Sequence, residues 1–269
     1  MFELLKVDLK RFVKDKLFLV ICIVAGAFVL FTPLLYKALF MLIEAEDMLG
    51  MVINAKTLLF AAFSPSSDMG LILPILVALV LCKDFGQGTV RNKIICGKSR
   101  SEIFFSMLLT CTIVTCGVMF AYGILILCVS LTVFDYQSTP FTASDFGYLL
   151  LSLGFEILVY VFLSSLICFF IVFMKNAGLA IVMYFAVNFL FVIVGGIVSV
   201  AGMAVDPANT FAYRLLEILT KANVFMGAAI GNGTSYTLTD VLCILLPTVL
   251  GTTALVLLGR WVFAKKDLK

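Results

Sequence analysis

The sequence predicts an all-α polytopic membrane protein: six transmembrane helices, an N-terminal amphipathic interfacial helix, and both termini in the cytoplasm. Three observations carry that expectation. Hydrophobic residues make up 63% of the 269 and charged residues 13%, whereas soluble domains run about 45–50% apolar and about 25% charged. The apolar residues gather in six stretches, each able to reach the roughly 20 residues that cross about 30 Å of hydrocarbon. The cations between those stretches fall mostly on one side.

Residues 1–16 read as the interfacial helix. Phe2, Leu5, Leu9, Phe12 and Val13 recur at helical spacing, and Lys6, Asp8, Lys10, Arg11, Lys14 and Asp15 fill the other face. Such a helix lies in the membrane interface with its basic side toward the headgroups. The six spans occupy 17–263, at about Leu17–Leu35, Met69–Cys82, Ile103–Phe134, Gly147–Met174, Ala177–Ala204 and Val241–Phe263. The first is read as an uncleaved span, because its apolar run passes unbroken through Ala25-Gly26-Ala27. The second has a short apolar core interrupted by Pro65 and Pro74, so it is extended backwards by a few residues. The third and fourth exceed the minimum and should tilt or project from the bilayer. No internal repeat or soluble domain is evident, so 1–269 is one membrane domain.

Charge sets the orientation. With both termini inside, 15 of the 19 Lys and Arg are cytoplasmic, and only Lys37, Lys56, Arg214 and Lys221 lie outside. Cytoplasmic loops carry that excess. The outer segments are 44–68, which opens on Glu44, Glu46 and Asp47, then 135–146, then the longer extracellular segment 205–240. In the last, Asp206-Pro207 reads as an N-cap followed by proline at the first helical position. Phe211, Leu215, Ile218 and Leu219 then form an apolar stripe, expected to lie on the outer membrane surface or partly re-enter it.

Composition also narrows the chemistry. Histidine is absent, which sets aside imidazole-based metal sites, proton relays and Ser–His or Cys–His catalysis. Eight cysteines contain no C-x-x-C pair and read as small apolar residues. No catalytic or metal-binding constellation is expected, and the chain reads as a non-enzyme.

The most informative stretch is the loop 83–102, KDFGQGTVRNKIICGKSRSE. Lys83, Arg91, Lys93, Lys98 and Arg100 against Asp84 give it a local charge of +4. Gly86 and Gly88 loosen the chain after the second span, and Thr89 is expected to cap a short helix through Cys96. Gly97 suits its stop. Ser99 and Glu102 then form a capping box that opens the third span. The Gly97-Lys98-Ser99 triplet is not a phosphate-binding P-loop: that motif needs glycine where Asn92 stands, and no strand precedes it.

Asp84, Phe85, Gly88, Thr89, Arg91, Asn92, Lys93, Gly97, Ser99 and Arg100 resemble the first cytoplasmic loop of the ABC-2 type permeases, the membrane subunits of bacterial ABC exporters. That family pattern is an acidic residue and an aromatic, then G-T, a basic stretch, and G-x-[ST]-R. The resemblance extends along the chain as architecture: interfacial helix, six spans, long outer segment before the sixth, basic C-terminus. It implies a multi-pass protein of the bacterial cytoplasmic membrane, acting as an identical or mixed dimer with a homologous permease chain. It further implies two copies of a separate ABC ATPase subunit that dock on the loop's short helix. This chain would then hold no cofactor, ATP and Mg being bound by the ATPase. The compact outer segments resemble permeases for bacteriocin self-protection, drugs or amphipathic peptide toxins, so the cargo is expected to be a hydrophobic or amphipathic peptide. Drugs, ions and lipids stay open as cargo, as does an ATP-independent channel or carrier. Membrane lipid is a partner; nucleic acid is not.

Two polar residues fall inside spans. A charge at mid-helix costs roughly 2.5–3.5 kcal/mol, so Glu156 should face protein or water. It either lines the translocation path or serves as a protonated or paired helix contact. Asn188 suits hydrogen bonding between helices, and Gly195, Gly196 and Ser199 allow close helix approach.

Overall fold

A computed structural model describes residues 2–42, 55–64, 68–133, 142–205, 210–227 and 237–265. All its elements are helices: α1 Phe2–Val13, α2 Lys16–Leu42, α3 Ala55–Phe63, α4 Asp68–Gly86, α5 Thr89–Ile95, α6 Arg100–Val133, α7 Ala143–Met174, α8 Ala177–Ala204, α9 Thr210–Ala222, α10 Val224–Gly227 and α11 Leu238–Lys265. Among the described residues α2, α6, α7, α8 and α11 are long and apolar enough to cross a membrane. A sixth joins them only if α4 and α5 count as one span, bent by 55°. The protein is therefore a helical multi-pass membrane protein.

The bundle is built around α7. Of its most apolar stretch 67% is buried, against 11% for α8 and for α11. Helices α4, α6, α8 and α11 pack around it. Glycines set the closest approaches. A Cβ on Gly251 of α11 would lie 2.7 Å from the Phe162 ring of α7, and one on Gly259 2.7 Å from the Phe104 ring of α6. Both aromatics fill the space that a missing side chain leaves.

The second span, expected at Met69–Cys82, falls within the single helix α4. α4 rises only about 28 Å over its length, including the charged turn at Lys83 and Asp84. The separate helix α3 packs beside α6 ahead of it, burying Leu58, Leu59, Phe60, Ala62 and Phe63. Its first turn is tied to the start of α7 by Lys56 and Asp145. Its end places Phe63 against Gly123 and Phe120 of α6. The expected second span is thus one helix with Pro74 inside it, and the segment before it, read as an outer loop, holds the separate helix α3.

The segment after α8 folds back on it. α9 packs along α8, and the Asn223 side chain donates to the Phe191 carbonyl near the middle of α8 at 2.6 Å. Phe225 then stacks among Phe162, Tyr184 and Phe191, at 6.4, 6.4 and 5.6 Å between ring centres. The stripe of Phe211, Leu215, Ile218 and Leu219 is turned away from the protein, Phe211 being 78% exposed. The expected cap at Asp206-Pro207 and the acidic run Glu44, Glu46 and Asp47 lie outside the described residues.

Candidate functional site

Loop 83–102 folds as the sequence leads one to expect, with one change. Helix α5 starts at Gly88, whose φ of +67° lies in the left-handed region. Thr89 is its first helical residue rather than its cap, and no side chain caps the helix. A glycine with positive φ already turns the chain there, which leaves the threonine hydroxyl unused. The helix stops at Gly97, φ +81°. Gly97 N–H donates to Ile94 O at 2.9 Å and Lys98 N–H to Lys93 O at 3.2 Å, a Schellman closure. The capping box follows: Glu102 N–H donates to Ser99 Oγ and Ser99 N–H to Glu102 Oε2, both at 3.2 Å. Between α5 and α6 no residue is left without a fixed conformation.

The charges of the loop are not all turned outward, as a docking surface would have them. Three pairs tie it to the N-terminal helix. Lys83 Nζ meets both Asp15 oxygens at 2.8 and 2.9 Å, Asp84 pairs with Arg11, and Lys93 Nζ meets Asp8 Oδ1 at 2.6 Å. Ser106 of α6 donates to the other oxygen of Asp8 at 2.7 Å. This last pair is well buried, with 7% of the Asp8 side chain and 11% of the Lys93 side chain exposed. For Asp15, partial burial opposes ionisation. The Lys83 hydrogen bond, the Leu17 N–H and the charges of Lys83 and Arg11 outweigh it and hold the carboxyl below its ordinary value.

The same contacts correct the reading of α1. Asp8 and Arg11 of α1, and Asp15 in the turn after it, pair with the loop rather than headgroups, and Phe12 is buried against the bundle. Lys6, Lys10 and Lys14 remain exposed. Asp8 and Arg11 stand three apart on α1 and Asp15 follows just past its end, so the signs alternate along the stretch that meets the loop. That spacing was the available signal for the docking.

A second set of contacts reaches the C-terminal helix. Phe85 packs edge-on against Phe263, ring centres 6.4 Å apart. Arg100 Nη1 donates to Ala264 O at 2.8 Å, where the exposed carbonyls and negative dipole end of α11 favour a cation. Arg260 Nε donates to Ser101 Oγ at 3.2 Å.

Once these contacts are made, the outward residues of the loop include one face of α5. Arg91, Asn92, Ile95 and Cys96 are exposed. Arg91 and Lys98 have no ion pair among the described residues. Ile95 is 72% exposed, a large apolar side chain on a charged tip, and the sequence pattern did not single it out. Arg91, Asn92 and Ile95 are spaced one and four apart, so they share one face of α5.

Within the bundle Glu156 is fully buried. Among the described residues neither of its carboxylate oxygens nor the Tyr160 hydroxyl has a hydrogen-bond partner. Tyr160, one turn on, lies within electrostatic range of Glu156, Tyr184, Cys116 and Tyr122. Asn188 is half-buried one turn beyond Tyr184 on α8. At the end opposite the loop, two capping boxes match each other. Thr142–Asp145 opens α7 with Lys56 on its aspartate, and Thr237–Asp240 opens α11 with Lys221 on its own, 2.7 Å away.

No family model matches the chain, and no curated protein or solved structure matches it.

Proposed function

We propose that the chain is the membrane-spanning permease subunit of an ATP-driven ABC exporter, of the ABC-2 type. It spans the bacterial cytoplasmic membrane six times, the second time through α4, with both termini and the loop end in the cytoplasm. Two such chains, identical or homologous, line the path. Two separate ATPase subunits, which bind the ATP and Mg, dock on α5. The cargo is a hydrophobic or amphipathic peptide.

The observation that carries this reading is the mounting of α5. It is a two-turn helix closed at its end by a Schellman motif and joined to α6 by a capping box. Ion pairs brace α4 and α5 on α1, and Arg100 braces the start of α6 on α11. A force on its exposed Arg91–Ile95 face would pass into four helices at once. Such a lever suits coupling to a moving soluble partner, and the family-like residues Asp84, Phe85, Lys93 and Arg100 are the ones that brace it.

The test is purification of the tagged chain from its native membrane in a gentle detergent, with the mass of the intact complex. Two chains of permease size with two soluble nucleotide-binding chains support the exporter. A chain that purifies without any nucleotide-binding partner, even after crosslinking, replaces it with a channel or carrier.

A further inference from the structure

A groove of about 390 Å³ runs between α1, α2 and α6, away from the loop surface and from Glu156. Leu9 and Val13 of α1 line it together with Phe18 of α2. Its floor is made of small residues, among them Ala25, Gly26, Gly117 and Ala121. A Cβ on Gly26 or Gly117 would meet no heavy atom within 4 Å, so the space is open rather than filled by a neighbour. On α6 the lining runs from Ile113 to Leu125, about 18 Å at about 1.5 Å per residue. One leaflet of a bilayer is about 15 Å of hydrocarbon, half the usual core. The groove therefore has the depth of one lipid tail and an apolar wall throughout.

Lysines flank the lining residues of α1 and the start of α2. Lys10 stands one turn before Val13, and Lys14 and Lys16 flank the turn that leads into Phe18. All three are exposed. None has an ion pair among the described residues, in contrast to Arg11 and Lys83 beside them, which are paired. Three exposed lysines without ion pairs among the described residues, each one or two positions from Leu9, Val13 or Phe18 of the lining, beside an apolar slot of acyl-chain length complement an anionic headgroup joined to a hydrocarbon tail.

We infer that this groove is a binding site for one anionic phospholipid, with an acyl chain along α2 and α6 and the headgroup on Lys10, Lys14 and Lys16. The occupant buttresses α1 from the side opposite its ion pairs with the loop. The assignment of the lipid to the cytoplasmic leaflet rests on the topology proposed above; the binding itself does not, and it is measured without any ATPase.

The full chain is placed in nanodiscs of equal phosphatidylglycerol and phosphatidylcholine, released, and weighed with its retained lipid by native mass spectrometry. The wild type is expected to keep one phosphatidylglycerol per chain, enriched about tenfold over phosphatidylcholine, within the attraction that several lysines at a membrane surface supply. K10Q/K14Q/K16Q should keep the two lipids equally. Gly117→Phe, and independently Gly26→Phe, should lose the retained lipid while keeping the wild-type melting temperature. Equal retention of both lipids by the wild type overturns the proposal. So does undiminished phosphatidylglycerol in both filled variants, or a second copy of the chain or a peptide found in the groove instead.

Discussion

Asp8 shows how much one residue carries at the loop end. It is a buried carboxylate that holds Lys93 and accepts from Ser106, linking α1, α5 and α6. Removing one partner of a buried pair strands the other charge, at a cost of about 3–5 kcal/mol. Asp8→Asn is therefore expected to release α1, seen as faster hydrogen exchange over residues 2–13 and a lower melting temperature. The charge-swapped D8K/K93D protein should recover part of the loss. Asp15 adds a pH dependence. Its carboxyl is held below its ordinary value of 3.8 by Lys83, the Leu17 N–H and Arg11 against partial burial. A depressed native pKa gives stability that is fully present above 3.8 and lost as pH falls through the native value. Protection of α1 should hold from neutral pH down to about 4 and decline below it. Asp15→Asn should flatten that part of the profile while leaving the neutral-pH bundle intact.

At the scale of elements, α5 and α7 make separate predictions. The face Arg91–Asn92–Ile95 has no role in holding the helix in place, so changing it should spare the fold. Arg91→Glu is expected to abolish ATPase binding or coupling with membrane insertion unchanged, and Ile95→Asp to weaken the same step. Wild-type transport by Arg91→Glu would remove α5 as the docking helix. Glu156 sits fully buried on α7, one turn before Tyr160, inside the bundle. A carboxyl group without partners is kept in a membrane interior at a cost of a few kcal/mol, which favours a role when the bundle opens. Glu156→Gln should reduce transport about tenfold, equivalent to about 1.4 kcal/mol on the barrier. Unchanged transport would make it a helix contact only.

For the whole molecule, the arrangement predicts sidedness. Cys96 is an exposed thiol on α5, at the end that gathers the loop, the start of α6 and the end of α11. A membrane-impermeant thiol reagent should label it in inside-out vesicles and not in intact cells, and Cys96→Ser should remove that signal. An outside signal that Cys96→Ser removes, as distinct from labelling of the exposed Cys128 toward the other end of α6, would invert the proposed topology and with it the docking of an ATPase.

Span positions were legible because they depend on short-range pattern. Runs of about 20 apolar residues locate α2, α6, α7, α8 and α11, and α8 falls on Ala177–Ala204 as expected. The stop at Gly97 and the Ser99–Glu102 box were legible for the same reason, each being a bargain among residues three or four apart. The direction in which α1 faces was not. Its partners Lys83 and Lys93 lie 68 and 85 positions away from Asp15 and Asp8, and a helical wheel alone cannot distinguish a charged face on headgroups from one on protein. Nor did the wheel of α9 show that the helix returns along α8, since Asn223 finds its carbonyl 32 positions back. The sequence determined which segments enter a membrane and where helices start and stop, because transfer into hydrocarbon and the capping of helix ends are local costs. Only the tertiary structure decided which charges are spent inside and which are left to meet a partner, because pairing between distant residues exists only once the helices have packed.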